Sequence, residues 1–282
     1  MYDLSNIDVI KSILQKNGFS FSKSLGQNFI IDDTVCPEMA ENAIPDDSYG
    51  VLEIGPGIGV LTAELAKRAT KVVAIELDDR LLPILDNTLA DFDNVKIIHG
   101  DVMKLNLQEI LKEEFQNIPV VICANLPYYI TSPVIMKLLE SNLNVESIVV
   151  MVQAEAADRL CAQVGTRDAG AVTVAVNFYA DTEELFFVPR TSFMPSPKVD
   201  SKVIRLTIRP TPLCDINQKD FFDMVKMGFT KRRKTITNSL VFGPITKEKL
   251  LQTLTELGIS PTTRIEELSM QNLIDIYNCL YN

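Results

Sequence analysis

LEIGPGIGVLT, residues 52–62, is the stretch on which the fold turns. An apolar run stops at Gly55, and Gly57 and Gly59 follow at alternate positions before helical spacing takes over from Val60. Glycines between a strand and a helix permit a tight turn and let the backbone approach a ligand closely. Taken alone, the turn reads equally well as a compact connection. Its neighbours extend the pattern. GVLEI (50–54), KVVAIEL (71–77), NVKIIHGD (94–101), IPVVICAN (118–125) and ESIVVMVQ (146–153) read as strands. GVLTAELAKRA (59–69), DDRLLPILDNTLA, NLQEILKEEF and SPVIMKLLES (132–141) read as the helices between them. The second of these opens on acidic residues that suit a helix N-terminus, with Pro83 near its first turn. The last has Ser132 placed as N-cap and Pro133 at the first helical position. Five strands alternating with helices predict an α/β fold, a parallel sheet with right-handed crossovers and helices on both faces. In such sheets ligands lie beyond the C-terminal strand ends, near the switch point. Chemistry is therefore expected at Gly55–Gly59, Glu76, Asp101 and Asn125–Tyr129.

The chain of 282 residues suits a large domain with a smaller companion, and its hydrophobic fraction of 46% supports a sizeable core. The first 45 residues read as helical pieces around the glycine-containing loop SKSLGQNFIID (22–32). VDSKVIRLTIRP reads as a last strand, and Pro210 and Pro212 mark a linker before wholly helical sequence. The expected division is a catalytic domain over 1–211, with an N-terminal helical extension over 1–45, and a small helical domain over 212–282. No apolar run reaches membrane-spanning length, and the N-terminus lacks the basic and apolar regions of a signal peptide. The five cysteines, Cys36, Cys123, Cys161, Cys214 and Cys279, are scattered and form no CxxC pair. Reduced thiols in a cytoplasmic protein are expected, with no disulfide framework and no metal site. Residues 1–200 carry 15 basic and 29 acidic side chains, a balance of −14, whereas residues 201–282 carry 12 and 8, a balance of +4. An acidic body disfavours nonspecific polyanion binding, yet the C-terminal part keeps a local basic patch.

Glu76 closes a strand 21 positions after Gly55, where a carboxylate accepts both hydroxyls of an adenosyl ribose. The plainer reading is an acid at a helix N-terminus. Asp101 closes the next strand, placed to accept a hydrogen bond from an adenine amine, or simply to cap a turn. Together the three signals describe an adenosyl pocket. A dinucleotide would need the G-x-G-x-x-G turn for its pyrophosphate. Here the spacing is G-x-G-x-G, and Glu53 two residues before the turn would repel pyrophosphate while favouring an ammonium and a sulfonium. The pocket thus points to S-adenosyl-L-methionine. CANLPYYITSPVI (123–135) then finds a use. Methylating the amine of a flat base requires acceptors that orient the amine, a wall that stacks on the base, and exclusion of water. Asn125 Oδ1 and the Leu126 carbonyl supply acceptors, Pro127 stiffens the turn, and Tyr128 offers a stacking face, worth ~1–3 kcal/mol per base. No strong general base is required, because the reaction depends on position and electrostatics.

Asn125–Tyr128 resembles the Asn/Asp-Pro-Pro-Tyr signature of amino-methyltransferases in an Asn-Leu-Pro-Tyr form. SKSLGQNFIID, VLEIGPGIGVLT (51–62), AIELD (74–78), GDVMKL (100–105), ANLPYYITSPVI (124–135), MVQAEAADRL (151–160), FMPSPKVDSKVIRL (193–206) and FTKRRKTITNSL (229–240) are similar, in order and spacing, to the rRNA adenine dimethyltransferase family, within it to the bacterial small-subunit (16S) branch. The resemblance implies a Rossmann-like S-adenosylmethionine-dependent methyltransferase fold with a small C-terminal helical domain. It implies N6,N6-dimethylation of two adjacent adenosines in the 3′-terminal hairpin loop of small-subunit rRNA, late in subunit assembly. The sequence shows no oligomeric interface, so a monomer is the default expectation, and the lack of an apolar run of membrane-spanning length argues against membrane association. It places cofactor contacts on Asn28, Ile30, Gly55, Glu76, Asp101 and Asn125. The target pocket falls on Asn125, Leu126, Pro127 and Tyr128, with Phe193 stacking from the opposite side. GTRDAGAVTV departs from the family pattern, keeping Asp168 and Gly170 but putting Ala169 in the place of an aromatic.

The run Lys231, Arg232, Arg233 and Lys234 is expected to contact RNA phosphates, although such runs are commonly solvated helix faces. His99, Met103 and Met136 are read as structural. Three other readings stay open. One is a resistance-type methyltransferase acting on large-subunit rRNA, which FMPSPKVDSKVIRL and EELS disfavour. Another is an assembly or transcription factor that has lost catalysis, which the intact Asn125, Pro127, Tyr128, Glu76 and Asp101 disfavour. The third is a nicotinamide dehydrogenase, which the turn spacing disfavours.

Overall fold

A computed structural model describes residue 4 and residues 6–19, 27–243 and 245–281. Residues 22–26 of the expected glycine loop lie outside the described residues. The chain forms two compact units, residues 1–157 with 182–208, and residues 158–181 with 209–282. A single cut at 211/212 therefore differs from the structure by one excursion. Residues 158–181 join the C-terminal helices, because their apolar faces are completed by residues distant in sequence.

The first unit begins with α1 (Ile7–Lys16), whose cap Asn6 accepts from the amides of Asp8 and Val9. It continues through β1 (Phe29–Ile30), α2 (Val35–Ala43), β2 (Gly50–Ile54), α3 (Val60–Ala66), β3 (Lys71–Glu76), α4 (Leu82–Thr88), β4 (Val95–His99), α5 (Leu107–Phe115), β5 (Val120–Asn125), α6 (Thr131–Glu140) and β6 (Ser147–Gln153). α7 (Ala154–Cys161) and α8 (Ala171–Tyr179) follow, then β7 (Ala180–Val188), β8 (Phe193–Met194) and β9 (Ser201–Ile208). The main sheet runs β4-β3-β2-β5-β6-β9-β7. β4 through β6 are parallel, as their continuous apolar sequences predict, and β9 joins β6 antiparallel. β1 and β8 form a separate antiparallel ribbon, pairing Phe29 with Met194 and Ile30 with Phe193.

Two apolar clusters hold this unit. In one, Cys36, Met39, Ala40 and Ala43 of α2 and Leu61 and Leu65 of α3 pack on Val51, Val121, Cys123, Val149 and Met151 of the central strands. In the other, Ile10, Ile13 and Leu14 of α1 meet Phe29, Ile58, Ile84 and Leu85. At ~25 cal/mol per Å² of apolar surface, such burial is the main force holding helices to the sheet.

The second unit comprises α8, α9 (Gln218–Thr230), α10 (Ile236–Ser239), α11 (Lys247–Glu256) and α12 (Met270–Tyr281) with the end of α7. Phe178, Tyr179, Phe221, Phe222 and Tyr277 form its centre, with ring centroids 5.2–5.7 Å apart. Edge-on and tilted pairs at these separations add to the gain from burial. Among the described residues, no helix is long and apolar enough to cross a membrane.

Candidate active site

Strand register brings the expected residues together. Ile54 is paired with Ile75 on one side and with Ala124 on the other. Gly55, Glu76 and Asn125 are consequently the next residues outward on three neighbouring strands. The chain steps from β2 to β3 on one side and later to β5 on the other, so the switch point lies between β2 and β5. A cavity opens there, lined by Asn28, Ile30, Gly55, Glu76, Asp101 and Asn125 together with Leu126, Pro127, Tyr128 and Phe193.

The glycine turn is built for close approach. Gly55 has φ +72° and Gly57 φ +62°, a region side chains avoid. A Cβ at Gly55 would meet no atom within 4 Å, so its open side is free for a ligand, whereas one at Gly57 would press on the Phe29 ring at 3.3 Å. Glu76 is 6% exposed. Its Oε1 accepts from the Asp78 amide at 2.8 Å and its Oε2 from the Gly57 amide at 3.2 Å. Burial raises its pKa and these amides oppose the shift. A carboxylate has further lone pairs for ribose hydroxyls.

Glu53 requires a correction. It is 1% exposed, and burial, reinforced by the charge of Glu76, pushes its pKa up to about 8 against the nearby Thr62 hydroxyl. At neutral pH it is mostly protonated, so charge repulsion by Glu53 does not exclude a pyrophosphate. What argues for a cation is different. Glu53 Oε2 has no hydrogen-bond partner among the described residues, and the residue lines the cavity. Once the group ionises, a buried oxygen without a partner calls for a donor, and a cation beside it favours that ionised form. An ammonium fits it, and an open glycine turn with an ordered carboxylate at β3 fits a ribose, so the residues present suit S-adenosyl-L-methionine.

Asp101 Oδ1 accepts from the Met103 amide at 2.9 Å, and its Oδ2 lies 3.4 Å from the exposed Lys104 ammonium. The Gly100 amide donates to the Glu76 carbonyl at 2.8 Å, tying the ends of β3 and β4 together. His99 Nε2 lies 3.3 Å from the Leu77 carbonyl, a structural contact as expected. Met103 is 38% exposed and is not a packing residue, since its turn projects it from the surface.

Leu126 is 1% exposed and its amide donates to the Met151 carbonyl at 3.2 Å. The Ile130 amide and the Thr131 hydroxyl both donate to the Pro127 carbonyl, at 3.1 and 3.3 Å. This turn starts α6 two residues early, with Ile130 at the cap position, so Ser132 is not its N-cap and Pro133 sits in its first turn rather than at the first position. The Tyr128 hydroxyl and Ser201 Oγ are 2.8 Å apart, and burial raises the phenol's pKa and keeps it neutral. Phe193 is 3% exposed and held in the β1–β8 ribbon opposite Ile30. The ribbon thus brings two residues of the cavity lining, Ile30 and Phe193, side by side.

Sequence reasoning missed the network beside Glu76. Asp78 accepts from Gln27 Nε2 at 2.7 Å and pairs with Arg80 at 2.6 Å, which lowers its pKa. The Arg80 guanidinium lies 5.0 Å from the Phe19 ring centroid. A GQN tripeptide contains Gln27 and an ELD tripeptide contains Glu76 and Asp78, but no local spacing signals that they meet. Tyr129, 54% exposed, stands at the cavity rim.

In the second unit the basic run divides. Lys231, Arg233 and Lys234 are exposed. Arg232 instead pairs with Glu266 and donates to the Arg167 carbonyl. It anchors the loop in which Ala169, fully buried, replaces the expected aromatic.

The model of a family described as ribosomal RNA adenine dimethylase matches residues 18–282. A Bacillus cytotoxicus protein named ribosomal RNA small subunit methyltransferase A is 49% identical, over 99% of this chain and 98% of its own length. A Bacillus mycoides protein of the same name is 46% identical over the same shares. Among solved structures, a dimethyladenosine transferase from Plasmodium falciparum superposes with a TM-score of 0.72 at 25% identity, covering 89% of this chain and 97% of that one. The 23S rRNA methyltransferase ErmE gives 0.68 at 27% identity, covering 90% and 100%.

Proposed function

Since the chain belongs to the ribosomal RNA adenine dimethylase family and is a methyltransferase, we propose that it dimethylates N6 of two adjacent adenosines in the 3′-terminal hairpin loop of small-subunit (16S) rRNA, acting in the cytoplasm as a monomer on a late small-subunit particle. One observation carries the reading. A single cavity is lined both by Gly55, Glu76 and Asp101 and by Asn125–Tyr128.

S-adenosyl-L-methionine supplies a methyl group activated by a sulfonium. Glu76 accepts the ribose hydroxyls, Asp101 the adenine amine, and Glu53 the ammonium, while Asn28 and Ile30 close the near wall. Asn125 Oδ1 and the Leu126 carbonyl accept the two N–H bonds of the target amine, which aims its lone pair away from them and toward the donor. After one transfer a single N–H remains, which needs one acceptor, so the same geometry serves the second. The displaced proton leaves with solvent, and no side chain of the site has to act as a strong base. Tyr128 and Phe193 sandwich the target ring, which must leave its stack to enter. Tyr128 is stiffened for this by its bond to Ser201. Lys231, Arg233 and Lys234 hold phosphates, with Arg232 keeping that surface in shape.

The test uses purified protein, labelled S-adenosylmethionine, and undermethylated small subunits beside large subunits. N6,N6-dimethyladenosine confined to the small-subunit 3′ hairpin is the expected product. Label in the large subunit would refute the substrate assignment.

A further inference from the structure

One basic side chain outside the cavity reaches the turn that carries Asp101. Lys137, in the second turn of α6, places its ammonium 2.7 Å from the Met103 carbonyl and 3.1 Å from the Leu105 carbonyl. The same Met103 donates its amide to Asp101 Oδ1 at 2.9 Å. The turn closes on itself as the Lys104 and Leu105 amides donate to the Asp101 carbonyl, at 2.8 and 3.0 Å. Leu105 lies so close over Gly100 that a Cβ there would sit 2.8 Å from its Cδ1. The turn thus has few internal degrees of freedom, and Lys137 fixes its outer carbonyls.

We propose that Lys137 is a positioning residue for cofactor selection: it clamps the Met103–Leu105 carbonyls so that the Met103 amide holds the Asp101 carboxylate at the adenine amine. The inference rests on the reading of Asp101 given above. Two physical effects act together. A charge-assisted bond to each carbonyl restrains the turn. A cation on the Met103 carbonyl polarises the peptide it shares with the Lys104 amide, strengthening that amide's bond to the Asp101 carbonyl and so the turn that presents the carboxylate. The clamp has a second consequence. α6 begins immediately after Leu126–Ile130, and Val134 continues it through a bond to the Ile130 carbonyl at 2.9 Å. One short helix therefore links the wall of the target base to the loop that reads the cofactor's base.

The experiment measures binding of S-adenosylhomocysteine and of its inosine counterpart, in which the adenine amine is replaced by a carbonyl. Wild-type protein, Lys137→Met, Lys137→Arg, Asp101→Ala and the Lys137→Met/Asp101→Ala double variant are compared, each checked for an intact thermal transition. In Lys137→Met the adenosine ligand is expected to bind about five- to tenfold more weakly, with little change for the inosine ligand. Lys137→Arg recovers most of the loss, and Lys137→Met adds nothing in the Asp101→Ala background. Equal losses for both ligands, or a full additional loss in the double variant, would overturn the proposal. Failure of the wild-type protein to prefer the adenosine ligand would instead remove the reading of Asp101, and the proposal with it.

Discussion

Glu53 shows how one buried carboxyl links stability to ligand chemistry. Burial pushes its pKa in the folded chain up to about 8, from an ordinary carboxyl value of 4.5. The folded chain then holds the proton more tightly than the unfolded chain, so the contribution is complete at acid pH and is lost as pH rises toward 8. Glu53→Gln is expected to flatten this dependence. Melting temperatures of the free protein measured from pH 5 to 9 should fall less with pH in the variant than in the wild type, and parallel curves would refute the assignment. Asn125 belongs to the same scale. In the proposed mechanism Asn125→Ala removes one of two amine acceptors, and it leaves the strand intact, since its backbone pairs with Met151. A loss of roughly 10²–10³-fold in turnover is expected, of the size seen for removal of a single preorganised polar group. The melting temperature should change little.

At the scale of elements, the turn after β2 separates folding from binding. Gly55→Ala meets no protein atom, so the fold should lose only ~1–2 kcal/mol from the left-handed backbone. Cofactor binding, followed by calorimetry, should fall far more, because the new methyl occupies the ligand's side. Equal, modest losses in both would mean that nothing approaches Gly55. The same turn explains what the sequence discloses. β2 to β6 are legible because central parallel strands are continuous apolar runs closed by glycine, acid or amide. Their register then delivers Gly55, Glu76 and Asn125 to one level without further information. β1 and β8 are not legible, each being two residues long and existing only because the other pairs with it. β7 is equally hidden, since ADTEELFFV mixes charges with apolar residues at the sheet edge. The place of 158–181 in the second unit depends on distant partners, as does the pairing of Arg232. Glu53 was legible as a residue but not in its protonation state, which burial decides.

For the whole molecule the uneven charge matters most. An acidic body repels RNA in general, so under the proposed function contact falls to exposed cations such as Lys231, Arg233 and Lys234. Replacing Lys231, Arg233 and Lys234 together by alanine should reduce the slope of log affinity against log salt by about 2, as expected for loss of three phosphate contacts to single strands. Arg232→Ala should leave that slope nearly unchanged and lower the melting temperature instead, since it strands Glu266, whose side chain is 15% exposed. A slope change from Arg232→Ala equal to that of its neighbours would contradict its anchoring role.

The ribbon between Phe29 and Met194 also sets a schedule for the newborn chain. Its two halves leave the ribosome far apart in time, and at ~5–20 residues per second the first waits on the order of ten seconds or more for the second. Until then Ile30 has no strand beside it and Phe193 is unmade, although the glycine turn and Glu76 are already synthesised. The pocket is therefore finished by a late arrival, and a truncated product ending before Phe193 lacks a wall of the cavity however well its central strands have formed.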